Sequence, residues 1–463
     1  MAQSPFARYE NRVTDAPFLT PYPPRAKTRL PVHVLLREGR KSFLNMFPES
    51  AFRAPFLRQR VLLRDIFITN SPETVQEAFI TKAAVIERKS PQQRHALIPL
   101  LGDGLFVSDG ATWRERRRAV APVTHVSRLA ELTPPITETV AERAEAWAAR
   151  PEGAPIDALE EMAQLTAEII CRTIFGGRLG AAAAHTVVEA FSDYQGAVGQ
   201  MDILSMLALP EWLPRPQSPR VRRAAARIHG VVDGLIAEAR GRPEASLIRS
   251  LAEGSGAALT PDALRNEASV LFMAGHETTA NTLAWAWFLL SQSPAEEAAL
   301  QAEADAVLGG RAAGFADFPK LVRTRAVVEE TLRLYPPVPL LAREATRETE
   351  LAGRRVRKGS LVIAVPWLLH RHEALWDRPD HFIPDRFMPG APPPPRHGYI
   401  PFAVGPRVCT GMAFGLTEAV LCLATLAGRF RLSLEPGAKV MPVCRLTLRP
   451  GERLPMRLHH RHD

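Results

Sequence analysis

Apolar residues recur at helical spacing through most of this chain and gather into short β-branched or aromatic runs at only a few places. Residues 1–30 are polar and proline-rich, ending in Pro21-Tyr22-Pro23-Pro24, and read as an extended arm. A helix is expected over 31–47, followed by strand-like runs over 51–57 and 60–69, the second rich in Val, Leu, Ile and Phe. Ser71-Pro72-Glu73 supplies an N-cap, a proline at the first helical position and an early acid, so a helix should run from there to about residue 80. The stretch 88–107 reads as irregular. Beyond it the spacing predicts helices over 110–121, 133–149, 157–175, 182–198 and 217–241. The connection 199–219 is apolar and broken by prolines, which suits either a lid or a packed loop. Thr260-Pro261-Asp262 then opens a pattern that continues to Gln292, a helix of roughly 48 Å, long enough to cross the molecule. Shorter helices are expected over 294–307 and 322–334, strand segments over 348–365, and an apolar helix over 411–428. No internal repeat is present.

This pattern makes a mainly α fold with a smaller β region. With 463 residues, 46% hydrophobic and 23% charged, a large core is available. The expected organisation is the 1–30 arm and one domain over 31–463, with β-rich parts near 51–70 and 348–365. The four cysteines, 171, 409, 422 and 444, lie far apart with no Cys-x-x-Cys pair, so neither a disulfide framework nor a zinc site is suggested and a reducing cytoplasm is expected. No stretch reaches the roughly 18 apolar residues of a membrane span, and the N-terminus has no apolar signal core, so no transmembrane anchor is expected. The net charge of +9 suits nucleic acid, anionic lipid or an acidic protein. The cluster Arg114, Arg116, Arg117 and Arg118 lacks interleaved aromatics or a nucleic-acid motif, which points away from nucleic acid and towards an acidic redox partner or a merely solvated basic face.

Candidate chemistry concentrates in Phe402-Ala403-Val404-Gly405-Pro406-Arg407-Val408-Cys409-Thr410-Gly411. A thiolate ligand to haem iron needs a tight turn that aims N–H groups at sulfur, an apolar cover, and a cation for the haem propionates. Gly405 can make the turn, Phe402 the cover and Arg407 the propionate contact, while Gly411 lets the next helix approach the macrocycle. That helix begins beside Cys409, and the positive end of its dipole favours thiolate over thiol. Taken alone, Cys409 could equally be a small buried hydrophobe.

The long helix carries Ala274-Gly275-His276-Glu277-Thr278-Thr279 near its middle. Gly275 costs helix stability, about 1 kcal/mol relative to Ala, which a flat cofactor pressed against the helix would justify. The Thr278 hydroxyl can bond the Ala274 carbonyl or release it, bending the helix and opening a groove. Glu330 and Arg333 stand three apart on one helix face, ahead of the terminating Tyr335-Pro336-Pro337-Val338-Pro339. Trp113 and Arg117 are four apart on another.

The cysteine stretch resembles the haem-ligand signature of the cytochrome P-450 superfamily: Phe, two residues, Gly, one, Arg, one, Cys, one, Gly. The other motifs fall in that family's order over residues 113–411. The resemblance implies the cytochrome P-450 fold, with the long central helix crossing a helical bundle and haem b lying between it and the cysteine-loop helix. It makes Cys409 the axial ligand of the iron. Ala274 and Gly275 would lie over the haem, with Glu277 and Thr278 as the acid and alcohol that deliver protons to bound dioxygen. Glu330, Arg333 and Arg386 would form a buried structural triad. Trp113, Arg117 and Arg343 would join Arg407 at the propionates, with His370 a weaker candidate that also suits a satisfied core histidine. The implied reaction inserts one oxygen atom from dioxygen into a hydrophobic small molecule, with nicotinamide-derived electrons arriving through an acidic ferredoxin or flavodoxin and its reductase. A haem-thiolate isomerase, dehydratase or peroxide-driven enzyme on the same fold, and a haem sensor, remain alternatives. The segments expected to face the substrate, 90–107, 199–213, 268–274 and 337–342, are largely apolar and suit fatty, terpenoid, steroid or aromatic compounds.

Overall fold

The helix Pro261–Ser291 is apolar on every side over its second half, and that dictates the architecture: a helix without a polar face has to run through the core. Every residue from Thr279 to Leu290 is buried. Its start is set as the sequence suggests, with the Thr260 hydroxyl accepting the Ala263 N–H and Pro261 at the first turn. Ala158–Phe175 packs along it, and Met412–Arg429, Val322–Leu334 and Pro219–Gly241 pack around it. Trp285 stacks on Tyr335 with ring centroids 3.6 Å apart. The computed structural model describes residues 16–28, 30–198, 217–241, 246–253 and 259–461. The 199–213 segment lies outside them.

The main sheet runs in the order Phe56–Val61, Arg64–Thr69, Leu361–Ala364, Leu341–Glu344, Arg88–Lys89. Arg64–Thr69 joins Leu361–Ala364 in parallel and the other pairs are antiparallel. In the last pair Lys89 stands opposite Arg343, so the sheet edge sets two cations side by side.

Several expected boundaries are corrected. The first helix stops at Lys41, because Ser42 caps a 3-10 turn over Phe43–Met46. The run expected as a strand over 51–57 begins in another 3-10 turn, Glu49–Phe52, and the strand is Phe56–Val61. The stretch 88–107, expected to be irregular, contains the helix Pro91–Leu101. Its Ser90 cap and Pro91 are the same start signal as Ser71-Pro72, but Pro99 inside it breaks the pattern. The strands Leu341–Glu344, Phe430–Leu434 and Pro455–His460 and the short helix Leu247–Glu253 were not legible as elements.

Glu330 and Arg333 lock the chain that leads to the cysteine loop. Both side chains are fully buried, joined by bonds of 2.6 and 2.7 Å. Arg333 also donates to the carbonyls of His370, Pro379 and His381, and Glu330 Oε1 accepts the Ile383 N–H. Arg386 Nε stands 3.5 Å from Glu330 Oε1, while Nη2 of Arg386 donates to the Asp377 and Arg378 carbonyls. One helical ion pair thereby fixes residues 370–386. His370 belongs to this core: its Nε2 accepts the Ile400 N–H, and burial drives its pKa down to about 3, so it is neutral and does not serve as a cation. Arg333→Ala would strand a buried carboxylate and three carbonyls, with an expected loss of about 3–5 kcal/mol, read as a lower urea midpoint and reduced haem retention.

Candidate active site

The cysteine loop is a strained turn held from outside. Gly405 has φ +72°, and a Cβ there would stand 2.1 Å from the Phe79 carbonyl oxygen, so no other residue fits. Ala403 adopts φ +63° without being glycine. The Cys409 N–H bonds the Phe402 carbonyl at 2.9 Å, and Arg117 Nη1 donates to the Val408 carbonyl at 2.6 Å. Burial pushes the Cys409 thiol pKa up, while the Gly411 N–H and the Arg117 charge pull it down. Gly411 thus acts at the sulfur as well as at the helix start, which follows at Met412.

Cys409 lines a cavity that the middle of the long helix also lines, through Ala274, Gly275, Thr278 and Thr279. Thr278 Oγ1 donates to the Ala274 carbonyl at 2.7 Å, as the spacing predicts. Gly275 has a further neighbour besides the cavity that it lines. A Cβ there would meet Ile170 at 2.5 Å, so the glycine admits the neighbouring helix Ala158–Phe175.

Thr278 lines the cavity; Glu277 does not. Its carboxylate is buried on the far side, where Arg449 Nε and Nη2 donate at 2.8 and 3.1 Å and Thr447, Gln195 and Asn281 donate at 2.8–3.0 Å. Although burial alone would raise it, the Arg449 charge takes the Glu277 pKa down to about 2. The acid that does line the cavity is Glu418, on the cysteine helix. It is fully buried, one oxygen accepts the Thr279 hydroxyl at 3.2 Å, the other has no partner among the described residues, and burial pushes its pKa well up.

Cations crowd one end of the cavity. Arg343, Lys89, Arg117 and Arg407 all line it, together with Trp113 and Phe402. Arg407 pairs with Asp109 at 3.0 Å and lies over the Trp113 ring at 4.5 Å. Arg343 is buried with no carboxylate in ion-pair reach among the described residues, and burial brings its pKa down to about 9. Lys89 lies over the Phe106 ring at 4.0 Å. Reading the sequence missed Lys89; only its sheet pairing with Arg343 reveals it. Four cations against Asp109 leave the end of the cavity short of negative charge, which a dianionic ligand such as a haem with two propionates would supply. The expected basic surface shrinks accordingly: Arg116 is buried and paired with Glu267 and Asp103, leaving Arg114 and Arg118 exposed.

A cavity lined by a cysteine loop, a threonine-bearing helix and a group of cations suits a haem-thiolate protein. The chain belongs to the cytochrome P450 family, whose model matches residues 21–453. It is similar to cyclooctatin synthase of Streptomyces melanosporofaciens, 38% identical over 84% of this chain and 85% of that one. Cyclooctat-9-en-7-ol 5-monooxygenase of the same organism is 33% identical over 73% and 74%. Pentalenene oxygenase of Streptomyces avermitilis is 30% identical over 78% and 80%. The chain is thus a cytochrome P450 monooxygenase with a haem-thiolate cofactor and a hydrophobic substrate. One helix, Met412–Arg429, has the length and apolarity of a membrane span, but 67% of it is buried inside the fold.

The Glu277–Arg449 pair gives a sign-testable prediction. A carboxylate whose folded pKa lies below its unfolded value contributes stability above about pH 4.5 and loses it as pH falls towards 2. Arg449→Met should cost about 3–5 kcal/mol at pH 7 and reverse the trend, because burial alone raises the Glu277 pKa. Urea denaturation between pH 4.5 and 7 should then find the variant gaining stability as pH falls.

Proposed function

We propose that this enzyme hydroxylates a compact cyclic terpenoid, inserting one atom of dioxygen at a carbon held over Thr278. The carrying observation is that Thr278 and Cys409 line one cavity whose other walls are largely apolar. Val270, Leu271, Val338, Leu340, Leu105 and Phe106 offer a substrate no charge to pair with. The relatives' names, pentalenene and cyclooctat-9-en-7-ol among them, favour a cyclic hydrocarbon or its alcohol over a fatty acid.

The cofactor in this reading is haem b, which Cys409 would hold through its sulfur and Arg117, Arg343, Arg407 and Lys89 through the charge of its propionates. When bound, it supplies the activation of dioxygen. The protein's own part is to aim and to exclude. Phe402 covers the sulfur, and Thr278 holds a hydroxyl proton at Oγ1 that it can turn from the Ala274 carbonyl into the cavity. Glu277 fixes that turn through Arg449, and it would have to leave Arg449 before passing a proton. Thr278 favours the monooxygenase over a same-fold isomerase or dehydratase, which has no use for a proton there.

The test is a spin-state titration against a panel of cyclic terpenoids, fatty acids and steroids, followed by turnover with the tightest binder. Cyclic terpenoids should bind best, Cys409→Ser should lose the thiolate spectrum, and Thr278→Ala should keep it but release hydrogen peroxide in place of product. A fully coupled Thr278→Ala enzyme would overturn the reading of that residue.

Electrons would come from NAD(P)H through an acidic ferredoxin or flavodoxin. The exposed Arg114 and Arg118 share a helix with Trp113 and Arg117, which brings positive charge close to the cysteine side of the cavity. Reversing both to Glu should slow reduction by an acidic partner and flatten its salt dependence in stopped-flow measurements; unchanged rates would exclude this face.

A further inference from the structure

The cavity wall contains a short loop whose position is set by one buried acid. Residues 102–106 lie flat on the long helix. Gly102, at φ +53°, would push a Cβ to 2.4 Å from the Asn266 side chain, and a Cβ on Gly104 would stand 2.6 Å from Val270. Only glycines allow this approach, and it delivers Leu105 and Phe106 to the cavity. The carboxylate of Glu267, fully buried on the long helix, accepts the Leu105 N–H at 2.9 and 3.2 Å. The charges that face it are Arg116, with Nε 3.4 Å away on the helix Gly110–Val120, and Asp103 in the loop itself. Asp103 in turn accepts from Asn266 at 2.8 Å and from Arg116 at 3.3 Å. At the far end of the loop the Ser108 carbonyl accepts Arg407. Leu105 and Phe106 are therefore suspended between two fixed points, one at Arg407 and one at Glu267.

We propose that Glu267 is a positioning residue for substrate: it clasps the 102–106 loop to the long helix and thereby sets how far Leu105 and Phe106 reach into the cavity. This rests on the reading of the cavity as the substrate site, but the clasp itself does not. Glu267 is also the titratable part of the clasp. Burial raises its pKa to about 7, against the opposing pull of Arg116 and the Leu105 N–H. Opening the loop would hydrate Glu267 and return its pKa towards 4.5, so the closed loop binds the proton more tightly than the open one. Closure is thus favoured below pH 4.5 and weakens as pH rises through about 7. An uncharged side chain of the same shape should hold the loop at every pH.

The experiment follows amide hydrogen exchange at Leu105, corrected for intrinsic rate, and ligand affinity by spin-state titration, both on the haem-loaded enzyme between pH 6 and 8. In the native protein protection and affinity should fall together as pH rises. Glu267→Gln, which still offers an amide oxygen to the Leu105 N–H, should keep both and lose the pH dependence. Glu267→Ala should lose Leu105 protection and weaken ligand binding on the order of tenfold, the equivalent of one charge-assisted hydrogen bond. A native protein with flat Leu105 protection over this range, or a Glu267→Gln variant with the native pH profile, would overturn the proposal even if Glu267→Ala failed to fold. Intact, Glu267-dependent protection of Leu105 with no change in ligand affinity would overturn the positioning role while leaving the cavity reading in place.

Discussion

The long helix runs through the core, so every charge it carries must be met there by a neighbour. An uncompensated buried carboxylate costs several kcal/mol, and two stand on this helix. Glu277 is met by Arg449 from the short strand Leu448–Arg449, and Glu267 by Arg116 and the Leu105 N–H. Even the backbone is answered from outside, since Thr166 of the neighbouring helix donates to the His276 carbonyl at 2.9 Å. These ties fix the helix in rotation as well as position. Ala274 and Thr278 can face the cavity consistently only because the charges one turn away are fastened elsewhere.

The opposite imbalance shapes the other side of the cavity. Along the long helix charge is neutralised within the protein; beside the cysteine loop it is left in surplus. Lys89 and Arg343 are set side by side by strand pairing, and Arg407 and Arg117 are brought in by the loop and by the helix Gly110–Val120. The Trp113 ring and the Phe106 ring each cover a cation and reduce the cost of holding it away from water. A fold that neutralises one set of buried charges and leaves another exposed to a cavity is built around an anionic ligand.

What was legible in the sequence depended on whether the signal was local. The cysteine loop, the Thr260-Pro261 helix start and the Glu330–Arg333 pair are short-range patterns, and each was found with its neighbours in register. Thr278 was placed correctly because a hydroxyl bonding four residues back is a local event. Glu277 was not, because the partner that turns it away, Arg449, lies 172 positions later. Lys89, Glu267 and Glu418 were overlooked for the same reason: their surroundings come from other elements. Gly275 lines the cavity, but its other neighbour, Ile170, comes from a different helix and left no local signal.

That distinction bears on which acid serves the cavity. Adjacency in sequence nominates Glu277 as partner to Thr278, but its carboxylate is turned to Arg449 and does not line the cavity. Glu418 reaches the same helix from across the groove and touches Thr279. Burial pushes its pKa up, and among the described residues its second oxygen has no hydrogen-bond partner, which leaves it able to bind a further hydrogen-bonding group. A carboxylate held at a pKa of about 2 by an arginine is a poor proton carrier at neutral pH. On electrostatic grounds, then, Glu277 is the anchor of the turn and Glu418 the acid in contact with the groove.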